Sequence, residues 1–178
     1  MNAPNALTLA RIALVPLFVV LGYGDTRATA IASLVVFGVA SGTDKLDGFL
    51  ARRAGAVTRL GQFLDPLADK LLVGAALVVL VATRGFPLWA ALVIALREAA
   101  VQWLRTRIVA GGGTLPATPA AQLKTALQVA MVAWWLLPWS EPNPGHWLWL
   151  AAGVGATVWS GLDYAHAGRK AGARAEAR

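Results

Sequence analysis

Cysteine is absent from the 178-residue chain, histidine occurs only twice, and charged side chains make up only 14% of it. Without cysteine there are no disulfides and no thiolate metal sites, so any metal must sit on oxygen or nitrogen ligands. A soluble domain carries about 25% charged residues, and this chain has too few polar side chains to coat a core of its size. Acidic residues are the scarcer of the two charged kinds, nine against sixteen lysines and arginines, which leaves a net charge of +7. Most of that basic excess falls between apolar stretches and at the C-terminal end. It fits membrane-surface electrostatics and orientation better than nucleic acid, and no nucleic-acid partner is expected.

What the chain has instead is apolar sequence, 57% of all residues. Several stretches run roughly 17 to 25 residues, enough for a helix to cross a hydrocarbon layer about 30 Å thick. The expected fold class is therefore all-α, a polytopic membrane protein with six transmembrane helices over 5–23, 28–52, 61–84, 86–108, 121–139 and 146–166. Breaks come from the turn at 25–27, from Gly85 to Pro87, from Gly111 to Pro119 and from Ser140 to Gly145. Only Arg11 precedes the first apolar run as a basic residue, and apolar segments recur as far as 165. That run reads as a retained span and not a signal peptide. The six spans form one domain over 1–167, followed by a basic tail over 168–178 that is small and expected to fray.

Lysine and arginine asymmetry sets the orientation. Arg52, Arg53, Arg59, Arg105, Arg107, Lys124, Arg169, Lys170, Arg174 and Arg178 fall on one side, while Arg27 and Arg84 mark the other. The expectation is a multi-pass protein of the cell membrane with both termini and the 53–60 link in the cytoplasm. Trp134, Trp135, Trp139, Trp147 and Trp149 gather around the last loop and read as an interfacial aromatic belt.

Four of the nine acidic residues fall within 26 positions: Asp44, Asp47, Asp65 and Asp69. The spacings i, i+3 and i, i+4 put each pair on one face of a helix, and a short link between the second and third spans lets the two faces meet. A charged side chain within a membrane costs about 2.5–3.5 kcal/mol on insertion scales, and four neighbouring carboxylates also repel one another. They must be protonated or neutralised by cations. An oxygen-rich set suits Mg²⁺, Mn²⁺ or Ca²⁺, and two divalent ions at one site are a common apparatus for displacing a leaving group from phosphorus. A proton or cation path in a small transporter, or plain helix-end charge, would also use such residues. Gly48, Ala51 and Gly61 leave bare backbone beside the acids where a bulky ligand can approach, and Arg52 can bind phosphate in bidentate fashion.

The run Asp44-x2-Asp47-Gly48-x2-Ala51-Arg52-x8-Gly61-x3-Asp65-x3-Asp69 resembles the complete signature of the CDP-alcohol phosphatidyltransferase family, whose members are likewise built from six spans and often form homodimers. The resemblance implies that Asp44, Asp47, Asp65 and Asp69 hold two divalent cations, Mg²⁺ first and Mn²⁺ second. It makes Asp69 the candidate catalytic base for the acceptor hydroxyl. Gly48, Arg52, Thr58 and Gly61 would lie along the CDP-linked lipid, although a loop threonine such as Thr58 also serves as a helix cap.

The acceptor is read from other segments. Residues 4–11 and 61–73, Arg97-Glu98, Arg105 and Lys124-Thr125-x2-Gln128 resemble phosphatidylglycerophosphate synthases. The implied substrates are CDP-diacylglycerol and glycerol 3-phosphate, with Arg97, Arg105 and Lys124 as a cationic site for the acceptor phosphate. Glu98 is adjacent to Arg97 but is expected to point elsewhere, which leaves the aspartates or a substrate phosphate as partner for Arg97. As bland alternatives, Arg105 can be an interfacial charge and Lys124 a snorkelling anchor. Ala121-Gln122 stands where those synthases carry Gly-Lys, and Ser41-Gly42-Thr43 before Asp44 resembles cardiolipin synthases. A cardiolipin synthase using phosphatidylglycerol therefore stays open as the alternative.

Overall fold

The computed structural model describes residues 3–54, 59–111, 118–140 and 143–176, with side chains over 8–43, 67–111, 118–140 and 143–168. Six helices follow one another: α1 (Ala3–Gly22), α2 (Arg27–Ala54), α3 (Arg59–Thr83), α4 (Leu88–Ala110), α5 (Pro119–Leu136) and α6 (Pro144–Glu176). Among the described residues there is no strand. The helices fall where six were expected, with one difference. The backbone of α6 stays helical to Glu176, where fraying from 168 was expected, because alanine, arginine and lysine are strong helix formers and carry the helix past Gly168.

The ends of the helices are written in the sequence. Thr26 caps α2: its hydroxyl accepts from the Thr29 backbone N–H at 3.1 Å, and the Thr26 N–H donates to the Thr29 hydroxyl at 3.2 Å. This reciprocal pair satisfies two donors that a helix start leaves over. Thr118 accepts from the Ala121 N–H at 3.3 Å ahead of Pro119, a proline placed where its missing N–H costs nothing. Asn143 accepts from the Gly145 N–H at 3.0 Å through its side chain, and its own N–H donates to His146 Nδ1 at 3.1 Å. At the end of α3, Gly85 takes a φ of +67°. That left-handed turn lets the Phe86 N–H reach back to the Leu80 carbonyl at 3.2 Å, and glycine adopts it without a Cβ penalty.

The chain forms two compact units, Met1–Phe86 with Val132–Glu141 and Pro87–Met131 with Pro142–Arg178. In the first, α1 packs on both α2 and α3. Phe18 and Phe37 meet at 5.8 Å between ring centroids, among buried Ala30, Ala40, Ala76 and Leu80. Trp135, expected in the aromatic belt, is instead 3% exposed and lies edge-on to Phe86 at 5.0 Å. Trp139 is 42% exposed and closes α5 by donating its indole N–H to the Trp134 carbonyl at 3.0 Å.

In the second unit α4 packs along α6. Three glycines of α6 each receive a neighbouring side chain where a Cβ would stand: Gly153 takes Met131, Gly161 takes Arg97 and Gly168 takes Leu104.

Among the described residues no helix is long and apolar enough to cross a membrane. Arg97, Glu98 and Arg105 interrupt α4, and Lys124 with Gln128 interrupts α5. Large apolar side chains nevertheless face outward from both units. Val20, Val35, Val78, Leu96, Trp103, Leu148 and Leu162 are all more than half exposed.

The bare backbone of Gly22 lets α1 meet α3: a Cβ there would sit 2.6 Å from Val79 Cγ1, and valine is stiff about χ1. Replacing Gly22 with leucine is expected to destabilise the protein by about 1–3 kcal/mol. Thermal unfolding in detergent would read this, and Val79→Ala in the same chain should recover part of the loss.

Candidate active site

The four aspartates lie on two helices that pack on each other in the first unit. Asp44 and Asp47 fall on continuous α2, and Asp65 and Asp69 on continuous α3, so both spacings are helical spacings. The side chains of Asp44, Asp47, Gly48, Arg52, Gly61 and Asp65, and all of Thr58, lie outside the described residues. Asp69 lies within them, and its side chain is exposed. Among the described residues no group of three or more potential metal ligands occurs. Both histidines belong to α6, and His146 is taken up in starting that helix. The donor set on α2 and α3 is one of hard carboxylate oxygens, the kind that suits Mg²⁺ or Mn²⁺.

The first unit also holds two buried polar residues from the run 4–11, to which sequence reasoning gave no individual role. Thr8 and Arg11 on α1 are each 1% exposed. Burying a guanidinium among apolar side chains is expensive unless it is paired. The signal available was their i, i+3 spacing, which sets both on one face of a helix whose other side chains are nearly all apolar.

The second unit gathers the cations. Arg97 donates from Nη1 to Glu98 Oε1 at 3.1 Å and from Nη2 to the Ser160 hydroxyl at 2.9 Å. Its guanidinium carbon stands 5.5 Å from the centre of the Tyr164 ring, within cation–π range. Its stem crosses α6 where Gly161 offers no Cβ, the nearest approach being 3.2 Å to Cγ. The Lys124 ammonium, on α5, binds the same Glu98 oxygen. Side-chain exposure is 11% for Arg97, 22% for Glu98 and 7% for Lys124.

The expectation that Glu98 points elsewhere is therefore corrected. Consecutive residues on a helix diverge by about 100°, but the arginine is long enough to fold back, and buried Lys124 requires a carboxylate in place. The structure thus joins Arg97 and Lys124, two of the three expected phosphate ligands, through one acid. Arg105 stands exposed two turns further along α4, and Gln122 is exposed on α5.

Sequence reasoning missed Ser160, Gly161 and Tyr164, the α6 cradle of Arg97. Their spacing of i, i+1 and i+4 places a hydroxyl, a bare backbone and an aromatic ring along one side of a helix. Only the knowledge that α4 packs there gives that pattern meaning.

The carboxylates at fixed helical spacing on α2 and α3 are oxygen donors of the kind that suits divalent cations, and the paired cations on α4 and α5 are of the kind that suits a phosphate. The model of the CDP-alcohol phosphatidyltransferase family matches residues 1–159, and the chain belongs to that family. It is 41% identical over 181 residues to the CDP-diacylglycerol–glycerol-3-phosphate 3-phosphatidyltransferase of Bacillus subtilis (strain 168), covering 92% of this chain and 93% of the relative. The Pseudomonas fluorescens protein of the same name is 40% identical over 178 residues, covering 94% of this chain and 90% of its own. A probable phosphatidylglycerophosphate synthase of Mycobacterium tuberculosis (strain ATCC 25618 / H37Rv) is 37% identical over 167 residues, covering 92% of this chain and 79% of its own.

Because Glu98 is the one acid paired with buried Lys124 among the described residues, Glu98→Leu is expected to destabilise the protein by about 3 kcal/mol, the scale for leaving a buried charge unpaired. Adding Lys124→Met should restore part of the loss. Denaturant unfolding of both variants in detergent checks this, and equal stabilities would show that the two charges are not coupled.

Proposed function

We propose that the protein transfers the phosphatidyl group of CDP-diacylglycerol to sn-glycerol 3-phosphate, giving phosphatidylglycerophosphate and CMP. The observation that carries this reading is the set of relatives bearing that activity in their names, similar over more than nine-tenths of the chain. The Arg97–Glu98–Lys124 cluster supports it as a place for the acceptor phosphate.

Asp44, Asp47, Asp65 and Asp69 would hold two divalent cations, Mg²⁺ or Mn²⁺, which supply charge neutralisation at the pyrophosphate. Gly48, Arg52, Thr58 and Gly61 would line the CDP-lipid. Arg97, Lys124 and Arg105 would hold the acceptor phosphate so that the primary hydroxyl faces the β-phosphorus. The new bond joins that hydroxyl oxygen to phosphorus as the bond from phosphorus to the CMP oxygen breaks. The hydroxyl proton passes to the Asp69 carboxylate, and CMP leaves with the electron pair.

The same reading sets the six helices in the cell membrane, with both termini and the active site on the cytoplasmic side. The outward-facing apolar side chains of both units support this placement, since soluble proteins seldom expose large contiguous apolar surface. The lysine and arginine asymmetry supports that sidedness.

CMP release by purified protein with CDP-diacylglycerol and Mg²⁺ tests the proposal, with glycerol 3-phosphate and phosphatidylglycerol compared as acceptors. Release is expected with glycerol 3-phosphate, to be abolished by a chelator and by Asp69→Asn. Release with phosphatidylglycerol alone would make the enzyme a cardiolipin synthase. Ion flux in sealed vesicles without nucleotide turnover would make it a transporter. Arg97→Ala should raise KM for glycerol 3-phosphate about tenfold to a hundredfold, the range for a lost hydrogen bond to a charged group. The KM for CDP-diacylglycerol should change far less.

A further inference from the structure

Among the described residues of the second unit, two buried donors have no hydrogen-bond partner: Arg97 Nε and Gln128 Nε2. Gln128 is 2% exposed. It lies one helical turn beyond Lys124 on α5, on the same face and about 6 Å further along the axis. A polar group used only to hold helices together would have its donor bonded in the resting protein. A buried donor left over is a standing penalty, relieved when a ligand brings an acceptor. The second unit thus offers charge at Lys124 and Arg97, and a neutral donor one turn away.

We infer that Gln128 is a specificity-determining residue that donates its amide N–H to the non-reacting secondary hydroxyl of the acceptor. This rests on the proposed use of glycerol 3-phosphate. Chemistry divides the ligand: a phosphate is matched by the two cations, and a hydroxyl is matched by a neutral amide. The distance divides it as well. One turn of helix is close to the span from the phosphate of glycerol 3-phosphate to its carbinol carbons. A site built to bond a hydroxyl rejects an analogue lacking it, because the protein donor is then left buried and unpaired.

The test is a cycle of two acceptors and two proteins. Sn-glycerol 3-phosphate is compared with 3-hydroxypropyl phosphate, which keeps the phosphate and primary hydroxyl but lacks the secondary one. Wild-type KM should be about tenfold lower for glycerol 3-phosphate. In Gln128→Met, close in shape but without the donor, the KM for glycerol 3-phosphate should rise about tenfold and the preference should vanish. Without acceptor the variant should unfold at the same temperature as wild type or higher, because it loses an unsatisfied buried group. The upward shift produced by saturating glycerol 3-phosphate should shrink. Gln128→Leu provides a second apolar variant with the same expectations. An equal rise in KM for both acceptors, an unchanged preference, or a lower unfolding temperature without acceptor would each overturn the assignment. Failure of wild-type protein to release CMP with glycerol 3-phosphate would remove the underlying function and this inference together, a result distinct from the other three.

Discussion

A charge inside an apolar helical protein must be neutralised where it stands, and the second unit is organised around one carboxylate that does this twice. Glu98 accepts from Arg97 on its own helix and from Lys124 on α5. Neither cation has ready access to water, with 11% and 7% of their side-chain surfaces exposed. Removing one partner of such a set leaves an uncompensated charge in a medium that solvates it poorly. The trio is thus held as a whole, and it ties α4 to α5 at one level of the unit.

That electrostatic knot depends in turn on packing. The Arg97 side chain reaches Ser160 and Tyr164 only because α6 has no side chain at position 161, where its stem passes. The same device recurs at Gly153 and Gly168, which admit Met131 and Leu104. Small residues at helix contacts let backbones approach closely, which matters most where no aqueous driving force presses helices together. In α6 the device has a further consequence, because one of the three admitted side chains is an arginine. Its guanidinium is fixed by a hydroxyl, a carboxylate and a ring, and little rotamer freedom is left to lose when an anion binds.

Much of this architecture is legible in the sequence because it is written along single helices. The caps at Thr26, Thr118 and Asn143 and the stop at Gly85 sit where helix chemistry demands them, and they bound the expected segments. The aspartates are legible for the same reason: their spacing is a property of one helix at a time, and the backbone of α2 and α3 is helical through all four. What could not be read depends on neighbours far along the chain. Glu98 looked misdirected because Lys124, the second cation it holds, stands 26 residues away. Ser160 lies 63 residues from the arginine it holds. Trp135 resembled its neighbours in the belt, and only the fold shows it turned inward against Phe86.

The arrangement also constrains how tightly an anion can bind. A phosphate bound at Arg97 and Lys124, as proposed, would meet cations that already have a carboxylate, so its net gain would be a difference between two favourable states and not the full attraction of a bare pair. Charge alone then gives modest affinity and little selectivity, since any phosphate would share in it. Donors without partners stand differently. Gln128 Nε2 and Arg97 Nε surrender nothing when an acceptor oxygen comes within reach, so each bond they form adds nearly its whole value to binding. In the proposed acceptor site the cations would bring the ligand in, and the unpartnered donors would decide which ligand stays.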